Sequence, residues 1–144
     1  MGLKLPKHAD VVSAAARIAG RVETTPVFRS TVLDEIAGAS LLIKAECLQQ
    51  TGSFKLRGAT HALNRLDAKA RAAGVVAAST GNHGRGLAHA ARAAGVASVL
   101  VTFGPGASAG QADIRALMPD ALLDHFDDLP DLIENILPRK INAT

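Results

Sequence analysis

The residues best suited to chemistry in this 144-residue chain fall in two short stretches: Ser53-Phe54-Lys55 with Arg57, and Ser79-Thr80-Gly81-Asn82-His83-Gly84. Apolar residues Leu56, Ala59, Leu63 and Leu66 recur at spacings of three and four, so Lys55 falls at the head of a helix with Ser53 placed to cap its first turn. The positive end of that helix and nearby Arg57 would lower a lysine pKa and free the amine for imine chemistry. The plainer reading is a solvated surface lysine, an ordinary core aromatic at Phe54 and a surface or ion-paired Arg57.

The second stretch turns from Val75-Val76-Ala77-Ala78, an uncharged run that reads as a buried strand, into an alanine-rich helix of residues 85 to 94. A polar, glycine-bearing turn after the carboxyl end of a parallel strand is where open α/β sheets bind ligands. Its backbone N–H groups and the helix's positive end can hold a carboxylate or phosphate, with Asn82 and His83 adding directed polar groups. Alternatively, Gly81 and Gly84 only make the turn and Asn82 caps the helix. No Lys-Ser or Lys-Thr follows the glycines and no Gly-x-Gly-x-x-Gly is formed, which weighs against nucleotides. His83 has no Asp and Ser arrangement around it for hydrolysis. His61, His89 and His125 read as helix-surface residues and Cys47 as a small buried one. Glu46 and Asp34 form no cluster with the histidines, so no metal site is assigned.

The elements that must carry these stretches are short. Residues 8 to 19 read as a helix stopped by Gly20, Thr31 to Ala37 as a second stopped by Gly38, and Ser40 to Ala45 as a strand. Gly95 ends the helix after the polar turn, and Ser98 to Phe103 repeats the strand signal, so residues 75 to 103 form a strand, a crossover helix and a parallel strand. The fold class is α/β, a short parallel sheet flanked by helices. Gly104 to Gly110 reads as a loop, Ile114, Leu117 and Met118 as a helix stopped by Pro119, and Leu122, Leu123 and Phe126 as another before Pro130. Asp131 to Leu137 reads as a final short helix closed by Pro138.

Composition narrows the function classes. Hydrophobic residues make up 48% of the chain, enough for one core, and 28 alanines with 13 glycines make that core small-sided and close-packed. Trp and Tyr are absent and Phe occurs four times, so the stacking platforms of single-stranded nucleic-acid binders are missing, and no nucleic-acid partner is expected. One cysteine excludes an intramolecular disulfide and fits a reducing compartment. No window offers the apolar run of about 18 residues that a membrane span needs, and the N-terminus has no apolar region of the signal type, so a cytoplasmic location and no membrane partner are expected. The net charge of +3 hides a split: thirteen Lys or Arg against six Asp or Glu up to residue 100, then three against seven.

Thr25-Pro26, Lys44-Ala45-Glu46, Gln50-Thr51-Gly52-Ser53-Phe54-Lys55-Leu56-Arg57-Gly58-Ala59 and Ala78-Ser79-Thr80-Gly81-Asn82-His83-Gly84 follow one another in an informative order. From about Asp10 to about Val101 the chain resembles the fold-type II enzymes that use pyridoxal 5'-phosphate, above all threonine dehydratases and serine racemases of the tryptophan synthase beta superfamily. The resemblance implies that Lys55 bonds to the cofactor's aldehyde carbon and later removes the substrate α-proton. It further implies that Phe54 packs near the pyridine ring and Asn82 bonds the ring hydroxyl. Ser79, Thr80, Gly81 and His83 would hold the carboxylate of a small amino-acid substrate. The implied reaction deaminates serine, threonine or a derivative to a 2-oxo acid and ammonia, and racemisation would share its first step.

Family members are usually more than twice this long. Their downstream glycine-rich phosphate loop, and the later Ser or Cys that meets the pyridine nitrogen, have no counterpart after Phe103, and Gln111 stands near where the family carries a lysine. Residues 1–103 therefore read as the N-terminal part of a dehydratase-like fold and residues 104–144 as a divergent acidic helical tail. The chain is then either a truncated or frame-altered piece of a lyase, or a stand-alone non-catalytic α/β binding or assembly domain. In the second case another chain would supply the missing half, so the partners expected are a homo-oligomer or a complementing chain. Alone, the chain would expose apolar surface and self-associate. Sedimentation equilibrium is expected to show association, and a compact monomer at high concentration would contradict this.

Overall fold

The computed structural model describes residues 5–79, 81–102 and 119–141. Thr80, the Gly104 to Gly110 loop, Gln111 and the helix expected around Ile114, Leu117 and Met118 lie outside the described residues. Helix α1 spans His8–Ile18, and Asp10 accepts a hydrogen bond from the Lys7 backbone N–H at 2.7 Å at its start. Strand β1 (Val27–Phe28) leads into α2 (Thr31–Ala37), which Ser30 caps by accepting from the Leu33 N–H. Gly38 stops α2 at φ +60°, a conformation that suits glycine. Strand β2 is only Ile43–Lys44, shorter than the strand expected over 40–45, and pairs antiparallel with β1. A 3-10 turn at Glu46–Leu48 follows.

Helix α3 (Lys55–Leu63) and α4 (Ala68–Ala73) lead to β3 (Val75–Ala77), then α5 (Asn82–Ala93) and β4 (Ser98–Val101). Strands β3 and β4 are parallel with Val76 opposite Val99, as the strand, helix and strand pattern predicts. Strand β5 (Ala121–Leu123) pairs parallel on the other side of β4, giving the order β3-β4-β5. The helix expected at Leu122 and Leu123 is therefore a strand. Its three residues gain ladder bonds from β4 and bury Leu123, which outweighs their weak helical spacing. Helix α6 (Leu129–Ile141) runs past Pro138 instead of closing there: a proline removes one N–H bond, while the apolar stripe of Leu132 and Ile136 is already seated on the sheet.

Two apolar clusters result among the described residues. Val99, Val101 and Leu123 face α6 through Leu129, Leu132 and Ile136. On the other side, Leu56, Ala59 and Leu63 of α3 meet Ala90 and Ala91 of α5 together with Val96. The α3–α5 contact is what positions the candidate residues. A Cβ on Gly86 of α5 would come within 3.0 Å of the Leu56 nitrogen and 3.1 Å of the Lys55 carbonyl carbon, so the helices meet backbone to backbone. At the far end Arg71 donates to the carbonyls of Leu63 at 3.2 Å, Leu66 at 3.2 Å and Ala94 at 3.3 Å, tying the other ends of both helices together.

Large apolar side chains outside these clusters stay exposed, including Val12, Val27, Phe28, Val32, Ile36 and Leu42. Gly58 of α3 and Gly86 of α5 separate helix propensity from packing, because a Cβ on Gly58 meets nothing within 4 Å. Gly58→Ala should raise stability by about 0.5–1 kcal/mol. Gly86→Ala should lower it by about 1–3 kcal/mol, because the added methyl presses on backbone. Urea unfolding midpoints measure both, and equal effects would show that the close approach is not structural.

Candidate active site

Lys55 is the first residue of α3 and is exposed, with its Nζ 4.8 Å from the centroid of the Phe54 ring. Phe54 is 57% exposed, so it is not the core aromatic of the plainer reading. Ser53 does not cap the helix: Phe54 occupies the cap position in a helical conformation, and the buried Ser53 hydroxyl has no hydrogen-bond partner. Thr51 Oγ1, four residues before Lys55, is likewise buried and unpartnered.

The Ser79 to Gly84 turn lies at the start of α5. Gly81 is the cap residue, and Asn82 begins the helix instead of capping it. Helix α5 also starts three residues earlier than expected. The reason is visible at Gly84, where a Cβ would collide with the Ser79 carbonyl oxygen, so only glycine lets the chain fold back on itself here. The Ser79 hydroxyl accepts the Gly84 N–H at 3.2 Å and closes the turn. Asn82, His83 and Gly81 are exposed and Ser79 is half-buried. Asn82 stands four residues before Gly86, one turn along the same face of α5, and therefore beyond the point where α5 touches Lys55. Arg85 places its guanidinium 4.0 Å from the Cβ position of Gly52, so the loop before Lys55 also abuts α5. The structure thus brings Lys55 and the polar turn to one end of the α3–α5 pair, where the first N–H groups of α5 have no partners within their helix.

Arg57 is ion-paired, as its plainer reading expected, and the structure identifies the partner. Its Nε and Nη2 donate to the two carboxylate oxygens of Glu46 at 2.9 and 2.8 Å, and Nη2 also reaches Thr25 Oγ1 at 3.2 Å and the Glu23 carbonyl at 3.0 Å. The Thr25 hydroxyl donates to Glu46 at 2.6 Å, and Lys44 donates to the Thr25 carbonyl at 2.9 Å. Gln49 completes the group by bonding both the N–H and the carbonyl of Glu23. Arg57 is therefore a compensated charge held toward Glu46, not a free cation beside Lys55. The Arg57 hydrogen bonds hold the Glu46 carboxyl down from 4.5 to about 2, against the opposing cost of burial. Glu46 raises the Arg57 pKa in return.

The other candidates spread out. Cys47 is exposed in the 3-10 turn, not buried, because β2 stops at Lys44 and leaves it outside any packed strand. His61 is half-buried with its Nδ1 inaccessible and unpartnered, while His89 and His125 are exposed. His61 and Arg65 line a cavity of about 590 Å³ between α1 and α3, which none of the residues around Lys55 touches. One residue that matters escaped the motif reading, Gly86, whose signal was a glycine inside an alanine-rich helix, while Glu46 stood in the Lys44-Ala45-Glu46 stretch without a partner assigned to it.

The family described as "Pyridoxal-phosphate dependent enzyme" matches residues 18–118. The chain belongs to that family. As a member it shares the family's cofactor, pyridoxal phosphate, and its α/β architecture. Among the relatives of this chain, an L-threo-3-hydroxyaspartate ammonia-lyase from Pseudomonas sp is 53% identical over 90 residues, covering 62% of this chain and 28% of that protein. The serine racemase of Rattus norvegicus is 36% identical over 141 residues, covering 94% of this chain and 41% of its own length. In three dimensions, the crystal structure of serine racemase from Dictyostelium discoideum superposes with a TM-score of 0.75 at 32% identity, over 89% of this chain and 43% of that one. The chain thus spans less than half the length of these relatives, while similarity continues past Val101, where the motif likeness was expected to stop.

The Glu46 ion pair makes stability depend on pH. Glu46 has a lowered folded-state pKa, so its contribution is complete above about pH 4.5 and disappears as the pH falls toward 2. Glu46→Gln should cost about 1–3 kcal/mol near neutral pH, and the gap to the unaltered chain should close between pH 4.5 and 2. Chemical denaturation across that range measures it, and a pH-independent gap would show that the ion pair contributes nothing.

Proposed function

We propose that residues 1–103 form the lysine-bearing part of a lyase that deaminates a small hydroxyamino acid, serine, threonine or a derivative, to a 2-oxo acid and ammonia. The observation that carries this reading is the backbone contact at Gly86, which sets Lys55 at the same end of the helix pair as the Ser79–Gly84 turn. The residues present fit the cofactor: an exposed amine, a turn that admits no side chain at Gly84, and unpartnered hydroxyls on Thr51 and Ser53. When bound, pyridoxal phosphate supplies an electron sink that stabilises negative charge at the substrate α-carbon.

In this reading Lys55 Nζ takes the α-proton, and Phe54, lying under that amine, offers an apolar face to the pyridine ring. Asn82 donates a side-chain hydrogen bond to the ring hydroxyl. Ser79, Thr80, Gly81 and His83 receive the substrate carboxylate, with the positive end of α5 adding to the attraction. Residues 104–144 form the divergent acidic segment, and the chain works in the cytoplasm. Among the described residues no helix is long and apolar enough to cross a membrane. The exposed apolar side chains of α1, α2 and the β1–β2 ribbon support a partner, either a second copy or a complementing chain. They also support the alternative reading, a non-catalytic α/β assembly domain.

Incubation with pyridoxal phosphate, borohydride reduction and mass mapping separate these readings. Lys55 should carry the pyridoxyl group, and Asn82→Ala should weaken its capture about tenfold through loss of one hydrogen bond. Absence of an adduct on Lys55 sinks the catalytic reading. An adduct without 2-oxo acid from serine or threonine means that this chain captures cofactor but does not turn over.

A further inference from the structure

We propose that Glu46, acting through Arg57, is a positioning residue that sets the direction in which Lys55 leaves the head of α3. No side-chain cap does so. The cap position is filled by Phe54 with no side-chain bond to the helix, and the Ser53 hydroxyl has no partner. Gly86 fixes how close α3 lies to α5, and Leu56, Ala59 and Leu63 seat one side of α3 against that helix, but neither ties the other side of the first turn. Arg57, in the same first turn, supplies that tie: its guanidinium meets both oxygens of Glu46, Thr25 Oγ1 and the Glu23 carbonyl. Two residues along a helix subtend about 200°. Holding Arg57 toward Glu46 therefore turns Lys55 to the opposite side of α3.

Glu46 is itself held by the Thr25 hydroxyl, while Lys44, 3.7 Å from the same carboxylate, bonds the Thr25 carbonyl. The anchor is thus built on the β1–β2 ribbon and its flanks, outside α3. The inference rests on the lyase reading for what Lys55 is used for, but the geometry can be tested without the cofactor.

Reductive methylation with 13C-formaldehyde turns each lysine into a dimethylamine visible by NMR, and the Phe54 ring, 4.8 Å from Lys55 Nζ, should displace the Lys55 methyl signal upfield of exposed Lys69. Glu46→Gln, which keeps the shape but not the charge, and Arg57→Lys, which keeps the charge but not the fork, should each abolish that displacement. The Lys69 signal and the far-ultraviolet circular dichroism should hold. An unchanged Lys55 signal in either folded variant overturns the proposal. If both variants fail to fold, the unaltered chain decides. Acid titration of the group made by Glu46, Arg57, Lys44 and Thr25 should shift the Lys55 signal together with the Glu46 carboxyl resonance, and a Lys55 signal indifferent to that titration overturns the proposal.

A parallel pyridoxal phosphate and borohydride experiment should show labelling of Lys55, relative to Lys69, falling about tenfold in Glu46→Gln. If Lys55 of the unaltered chain takes no pyridoxyl group, the lyase reading fails while the methyl signal still decides the role of Glu46.

Discussion

The arrangement depends on one close approach, the contact of Gly86 with the backbone of Lys55 and Leu56. A side chain there would hold α3 and α5 apart and separate Lys55 from the turn that begins α5. Leu56 and Leu63 are buried beneath this contact and Ala90 and Ala91 complete it, so the alanine and glycine content has a specific use. Arg71 closes the other end of the pair by reaching three carbonyls on two chain segments. The two helices are therefore fixed at both ends by different means, steric contact near the site and hydrogen bonds away from it.

Charge is used sparingly around this frame. The cationic side chain nearest in sequence to Lys55 is Arg57, and the fold directs it into a two-point pair with Glu46. Breaking such a partly buried pair from one side costs more than the pair contributes over an apolar replacement, because the remaining charge is stranded. Its presence is better explained by directional specificity: a planar guanidinium bound to both carboxylate oxygens defines an orientation that an apolar contact would not.

What could be read from the sequence divides along physical lines. The Lys55 helix, the Ser79–Gly84 turn and the parallel β3–α5–β4 unit were legible because local spacing and glycine placement determine them. Gly20 and Gly38, both at positive φ, follow helices α1 and α2 as their positions suggest. Strand β5 was not legible: three apolar residues carry no period, and their conformation comes from pairing with β4. That Arg57 is ion-paired was among the readings of the sequence, but its partners were hidden for a similar reason, since Glu46 lies eleven residues away and Thr25 thirty-two, a proximity only the tertiary fold creates. Ser53 shows the converse: a good capping residue by type, it is displaced because Phe54 has already entered the helical conformation.

The acidic final stretch gains a meaning from the same sheet. Asp120 accepts from both the N–H and the hydroxyl of Ser98 at the start of β4, and Asp124 accepts from the Thr102 hydroxyl just past its end. Two carboxylates that composition assigned to a separate tail thus bracket the central strand, while Leu123 fills the cluster beneath it. Strand β4 is buried along its whole length, with β5 on one edge and α6 over the face of Val99 and Val101. Since β4 also packs against α5 through Leu100 beside Gly84, the seat of the polar turn is continuous with residues from the acidic segment. The change of charge near residue 100 therefore marks no physical break: the basic part carries the candidate site, and the acidic part supplies a strand and a helix to the sheet on which that site rests.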